Sequence, residues 1–196
     1  SIFRQSITPL EILVVDNLST DKTAELARLY DSPVQVLSCE HQGVSFARNH
    51  ALSRAKGEWI SFLDADDIWA DNTLELFFST IEKDQSLDCV YGCIQNFREH
   101  IDTTGGYFSE NPLPAPMPGA TMISRSALNT IGSFSETYTM GSVIEWGFRV
   151  AEANIQKMAL SDVVLHRRIH DANLCKINKD DKNVYARIVK AALVRR

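Results

Sequence analysis

The chain has no apolar run approaching the length that crosses a bilayer, and its start lacks the pattern of a secretion signal. A membrane span is therefore not expected. It has no surplus of cations either. Twenty Lys and Arg stand against 25 Asp and Glu, a formal charge of −5, which leaves no electrostatic footprint for nucleic acid. Cysteine is sparse and scattered: Cys39, Cys89, Cys93 and Cys175. Cys89 and Cys93 are four residues apart, but no second Cys or His pair lies near them, so a zinc site is not expected. Reduced, buried thiols in a cytoplasmic protein are the reading that remains. There is no internal repeat and no low-complexity segment. Proline is rare except in one stretch, where four of the six fall between Pro112 and Pro118. The 196 residues, 44% apolar, suffice for one domain with a sizeable core, or a domain with a small extension.

Residues 58–69, EWISFLDADDIW, organise the chain. An apolar strand over residues 59–63 runs into Asp64, Asp66 and Asp67, with Asp71 just beyond. A strand this apolar belongs in a sheet covered on both faces, and ligands in open α/β sheets bind beyond the carboxyl ends of such strands. Two carboxylates one residue apart repel each other, and a divalent cation relieves that repulsion. Hard oxygen ligands suit Mn²⁺ or Mg²⁺, usually shared with substrate phosphates. The competing reading makes these acids caps of the next helix. Asp71 fits that role, because Leu74, Phe77, Phe78 and Ile81 follow at helical spacing. Asp64 and Asp66 lie too far upstream for it.

The rest of the pattern is βαβ. Residues 10–15 read as a strand ending in the polar turn from Asp16, followed by a helix over residues 21–30. A strand at 34–37, a helix at 44–55 and the acidic-ended strand follow, and the alternation predicts a mostly parallel sheet including residues 88–96. Residues 98–119 read as an irregular loop. Ser124 and Gly132 read as the caps of a short helix. Gly141 and Ser142 open another helix. Two strand pieces, 157–160 and 163–168, precede a basic helix from about Lys182.

These motifs form an ordered series. LEILVVDNLSTDKTAELARLY, GVSFARNHALSRAKGEWISFLDADD, PGATMISRSALNTIGSFSE, EWGFRVAEANIQ and LHRRIHDANL together resemble the family 2 glycosyltransferases of the GT-A fold, across nearly the whole chain. The resemblance implies an α/β, Rossmann-like, mostly parallel sheet flanked by helices, with a smaller mixed acceptor-side region. Residues 1–97 would be the nucleotide-sugar half, 98–181 the acceptor-side half and 182–196 a terminal helix. The reaction implied is transfer of a sugar from a nucleoside diphosphate to an acceptor hydroxyl, with inversion and metal assistance. Asp16 would sit near the base or ribose. Arg48 and Asn49 would hold the D-x-D turn or the pyrophosphate. Asp64 would contact the ribose or metal-bound water, Asp66 would ligate Mn²⁺ or Mg²⁺, and His170 would approach the metal from the other side.

The chain departs from the family in two places. The family begins with a strand and helix of ~25–30 residues, and this chain starts at what resembles the end of that helix. An open strand edge beside residues 10–15 is therefore expected, and with it a homodimer. The family's base, an Asp, stands six residues before Arg149, where this chain has Val143. Glu145 is the nearest acid and the candidate base. Two alternatives stand beside this reading. A D-x-D phosphohydrolase needs Thr or Val two residues after its second Asp, where Ile68 stands. A transferase-like module that binds a nucleotide-sugar without turnover is the other. The expected location is cytoplasmic or peripheral to the membrane.

Overall fold

The computed structural model describes residues 1–98, 112–138, 141–170 and 182–195. Most of the expected irregular loop, residues 171–174 of the last motif and Cys175 lie outside them. In chain order the elements are β1 (Ile12–Asp16), α1 (Thr23–Ala27), β2 (Val34–Ser38), α2 (Val44–Arg54), β3 (Trp59–Ser61) and β4 (Ile68–Trp69). Then come α3 (Thr73–Lys83), β5 (Cys89–Phe97), β6 (Thr121–Ser124), α4 (Arg125–Ile131), α5 (Ser142–Glu152), β7 (Lys157–Arg168) and α6 (Lys182–Arg195).

The architecture is mixed α/β with a central sheet flanked by helices, as the pattern implied. Its strand pairing differs from the expected mostly parallel sheet. A five-stranded sheet has the order β3-β6-β5-β7-β4, and only β5 and β7 run parallel in it. β1 and β2 pair parallel with each other as a separate two-stranded sheet. The sequence alternation reports which segments are strands. It does not report which edges meet, because β6 enters between β3 and β5 from sixty residues away.

The five-stranded sheet is buried on both faces, and the side-chain alternation assigns each face its cover. Val90 and Met122 point to one side, where Phe77, Leu74 and Ile81 of α3 pack on them. Cys89 and Ile123 point to the other, against Leu128 and Ile131 of α4 and Trp146 and Val150 of α5. Gly92 is required where β5 passes β7. A Cβ there would meet the Val164 Cγ1 at 2.6 Å. The two expected strand pieces near the end are one strand, β7, with register shifts opposite Cys93.

Helix ends follow local chemistry in α4 and long-range chemistry in α3. Ser124 caps α4 by accepting from the Ala127 N–H at 3.1 Å. Asp71 does not cap α3. It pairs with Arg4 at 3.1 Å, and the first-turn N–H of Leu74 is met by the Gln5 Oε1 at 3.0 Å. α1 covers five residues rather than the expected ten, and the apolar face meant to hold it down lies open, with Leu29 74% exposed.

Among the described residues β1 is hydrogen-bonded along one edge only. Ile12 donates to the Pro33 carbonyl and Asp16 accepts from Cys39, so the backbone groups of Leu13 and Val15 face away from β2. β3 is likewise bonded on one side, to β6. The Glu11 Oε1 accepts from the backbone N–H groups of Lys56 at 2.5 Å and Gly57 at 3.1 Å. The start of β1 is thus tied to the start of β3 by a side chain, not by strand pairing.

Candidate active site

The acidic turn forms where β3 leaves one edge of the five-stranded sheet and the chain crosses to β4 at the other edge. The Asp67 N–H donates to the Asp64 carbonyl at 3.0 Å, closing the turn. The end of β7 pins it from the far side. Arg168 donates its backbone N–H to the Asp67 Oδ1 and its Nε to the Asp66 carbonyl, each at 2.9 Å. Burial pushes the Asp67 carboxyl up to about 6. The Arg168 N–H pulls against that shift, and the neighbouring Asp66 and Asp64 add to it.

Two of the expected site residues meet on each side of this turn. Arg48, from the first half of α2, is 7% exposed and donates its Nη2 to the Asp64 Oδ1 at 2.5 Å. Its guanidinium lies 5.3 Å from the centre of the Phe134 ring. The Arg48 Nη1 is buried and has no hydrogen-bond partner among the described residues. Across the turn, the His170 Nε2 and the Asp66 Oδ2 approach to 3.0 Å. Both side chains are partly exposed, at 37% and 41%. An acidic pair fixed by a buried cation on one side and faced by an imidazole on the other is a polar, solvent-reachable arrangement of metal-compatible donors.

Asn49 is placed differently. Its amide grips the backbone of Phe134 from both ends, accepting from the N–H and donating to the carbonyl at 2.9 Å each, and it also donates to Glu136 at 2.8 Å. Phe134 is the residue that sequence reasoning missed. It is 1% exposed, stacks on Trp146 at 5.2 Å and meets Phe62 edge-on at 5.2 Å. It is therefore the hub that joins α2, the end of β3 and α5 beneath the acidic turn. The only signal was its place just after the helix-ending Gly132.

Asp16 lies at the end of β1 and accepts from the Ser19 N–H at 3.1 Å. The Ser19 side chain first, and that backbone bond second, hold its carboxyl below the usual range. Its neighbour Asn17 does the tying. It donates to the His41 carbonyl and accepts from the Gly43 N–H, both at 2.6 Å, and so fastens the turn after β1 to the start of α2.

Glu145 is 6% exposed on α5. Arg149 donates to both of its oxygens, at 2.9 and 3.1 Å from Nε and 2.9 Å from Nη2. The same guanidinium donates to the carbonyls of Ile131, Gly132 and Ser133. In this arrangement Glu145 orients Arg149, which holds the backbone leading into Phe134. A buried carboxylate with both oxygens committed to a guanidinium is poorly placed to take an acceptor's proton.

Comparison with known proteins points in one direction. The family model described as glycosyl transferase family 2 matches residues 1–142. A UDP-Glc:alpha-D-GlcNAc-diphosphoundecaprenol beta-1,3-glucosyltransferase of Escherichia coli is 38% identical over 94 residues, 47% of this chain and 37% of that protein. A chondroitin synthase of Escherichia coli is 28% identical over 207 residues, which is all of this chain and 30% of that one. The crystal structure of S. aureus TarS 1-349 in complex with UDP-GlcNAc matches with a TM-score of 0.76 at 21% identity, covering 97% of this chain and 59% of that chain. The chain thus spans about a third of the length of these two curated relatives.

Proposed function

The chain belongs to glycosyl transferase family 2, and on that premise we propose that it serves transfer of a sugar from a nucleoside-diphosphate sugar to an acceptor hydroxyl, with metal assistance and inversion. The observation that carries the reading is the acidic turn. Asp64 is anchored by Arg48, and Asp66 meets His170 at 3.0 Å.

The donor set suits Mn²⁺ or Mg²⁺. Asp66 and His170 would hold the ion. Among the described residues no three His, Cys, Asp or Glu side chains gather into a ready cage, so the diphosphate would complete the coordination. When bound, the ion would offset charge on the leaving diphosphate. Arg48 aims Asp64 through its hydrogen bond, and Asp64 would contact the ribose or metal-bound water. Asp16, at the end of β1, would contact the base or ribose. Asn49 supports the turn from below through Phe134. TarS binds UDP-GlcNAc, which makes UDP the first nucleotide to test here. The work is proposed to take place in the cytoplasm, at or near a membrane surface.

Val143 stands where the resemblance puts the base, and valine accepts no proton. Glu145 remains the nearest acid, but its engagement by Arg149 favours a positioning role. A second reading therefore follows from this pair: a module that binds the donor and turns it over slowly. Donor hydrolysis by the unmodified chain, by Glu145→Gln and by Val143→Asp separates the two. We expect low turnover from the first two and a gain of about 100-fold from Val143→Asp, the lower end of what general-base catalysis contributes. Robust turnover by the unmodified chain that collapses in Glu145→Gln would return the role of base to Glu145.

A further inference from the structure

We propose that the outer face of α6 is a docking surface for an anionic phospholipid membrane. Residues 182–196 carry five cations and no acid, in a chain whose formal charge is −5. The charge of this element is therefore opposite in sign to that of the chain. Its inner face, Val184, Ile188 and Ala192, is buried against the body. Among the described side chains the opposite face is exposed at Ala186, Lys190, Leu193 and Val194, apolar beside cationic. Leu193 is 63% and Val194 78% exposed on either side of exposed Lys190, with Val189, 45% exposed, on one flank and exposed Arg187 on the other. At 100° per residue Lys190, Leu193 and Val194 fall on the side opposite Ile188.

A solvated helix face does not need three open aliphatic side chains, and a protein interface core is depleted of Lys. Apolar side chains that enter the acyl boundary, flanked by cations at the headgroup level, are what a surface-lying membrane helix presents. No described helix is long and apolar enough to cross a membrane, so the contact is one of lying on the surface.

α6 is also fixed to the part of the molecule that the proposed function assigns to the acceptor. Arg187 lies 5.9 Å from the Tyr138 ring centre. At the start of α5, a Cβ on Gly141 would come within 2.5 Å of the Ile188 Cδ1. The helix is therefore packed against Tyr138 and Gly141. A membrane under α6 would set an acceptor carried by that membrane beside the acceptor half. This last step rests on the proposed function; the docking itself does not.

The test is co-sedimentation of the full chain with vesicles of phosphatidylcholine alone and of phosphatidylcholine with phosphatidylglycerol. We expect binding to the anionic vesicles only, weakened by high salt. Arg187→Glu with Lys190→Glu should lower partitioning by more than about tenfold, from a loss of about fivefold for each cation removed. Leu193→Ser with Val194→Ser should lower it as well. All four positions are exposed and both variants leave Val184 and Ile188 against Gly141, so circular dichroism should show the fold retained. UDP binding, titrated in the same preparations, should be unchanged in both variants, which keeps a failure of the nucleotide reading separate from a failure of this one. No binding to anionic vesicles, equal binding to both kinds, binding indifferent to the charge reversals, or a stable dimer through this face in place of vesicle binding would each overturn the proposal.

Discussion

Arg48 satisfies several demands at once, and its neighbours in sequence announce neither its burial nor its place on the Phe134 ring. It is buried, pairs with Asp64 and lies on the Phe134 ring. Asp64 is itself 48% exposed, so water recovers part of the ion pair when Arg48 is removed. Arg48→Ala should therefore cost about 1–3 kcal/mol by urea denaturation, in the range for hydrogen bonds to charged groups. Arg48→Lys should recover little of that, because an ammonium lacks the planar stack. A fully stable Arg48→Ala would show that Arg48 does not anchor the turn. The sequence placed Arg48 beside the acids. It could not separate Arg48 from Asn49, because only the folded chain shows that one reaches the turn and the other reaches Phe134.

Cys89 gives a second test at this scale. Burial pushes its thiol up from the ordinary value of 9.0 to about 12. The folded state therefore holds its proton where the unfolded state loses it. Stability from this site is fully present below the unfolded value of about 9 and is lost as pH rises toward the folded value of about 12. Iodoacetamide at pH 8 should leave Cys89 unmodified in the native protein and label it in urea, as read by peptide mass spectrometry. Native labelling at the unfolded rate would contradict the burial.

At the scale of elements, β1 is the informative case. Its residues are apolar enough for a central strand, yet none of Ile12–Asp16 is buried. Its edge toward Leu13 and Val15 has no strand partner among the described residues. An open apolar edge invites another strand, so self-association is the expected outcome by light scattering. Proline distinguishes the two edges. Leu13→Pro blocks the free edge and spares the β1–β2 bonds, so it should give a folded monomer. Val14→Pro removes a bond to β2 and should destabilise the fold. A clean monomer from the unmodified chain would contradict this prediction.

Elements of this kind were legible where the cause is local and illegible where it is distant. The Ser124 and Gly132 caps of α4 follow from residue type. The cap of α3 comes from Gln5, 69 residues away, which no local pattern announces. The helix after β1 stops at Ala27, so Leu29 and Tyr30, expected on its apolar face, lie past its end, and Tyr30 stacks on Phe3 instead.

Across the whole molecule, the two core clusters put a rigid sheet beneath the acidic turn, with α3 on one face and α4 and α5 on the other. The turn bridges the two edges of that sheet, and β7 and α2 clamp it from opposite sides. The alternation of strands and helices announced the α/β class and the position of the acids. The mixed order of strands, the Phe134 hub and the Glu145–Arg149 pair depend on contacts between residues far apart in the chain. They were open only to the structure.

The central claim is that this turn holds a nucleoside diphosphate through a shared metal ion. It is tested most directly by calorimetric titration of UDP into the chain and into Asp66→Ala, each with and without Mn²⁺. The account predicts that UDP binds the unmodified chain appreciably only with Mn²⁺, and that Asp66→Ala abolishes the metal-dependent part while keeping the unmodified circular dichroism spectrum. UDP binding of equal strength with and without Mn²⁺, or unchanged in folded Asp66→Ala, would contradict it.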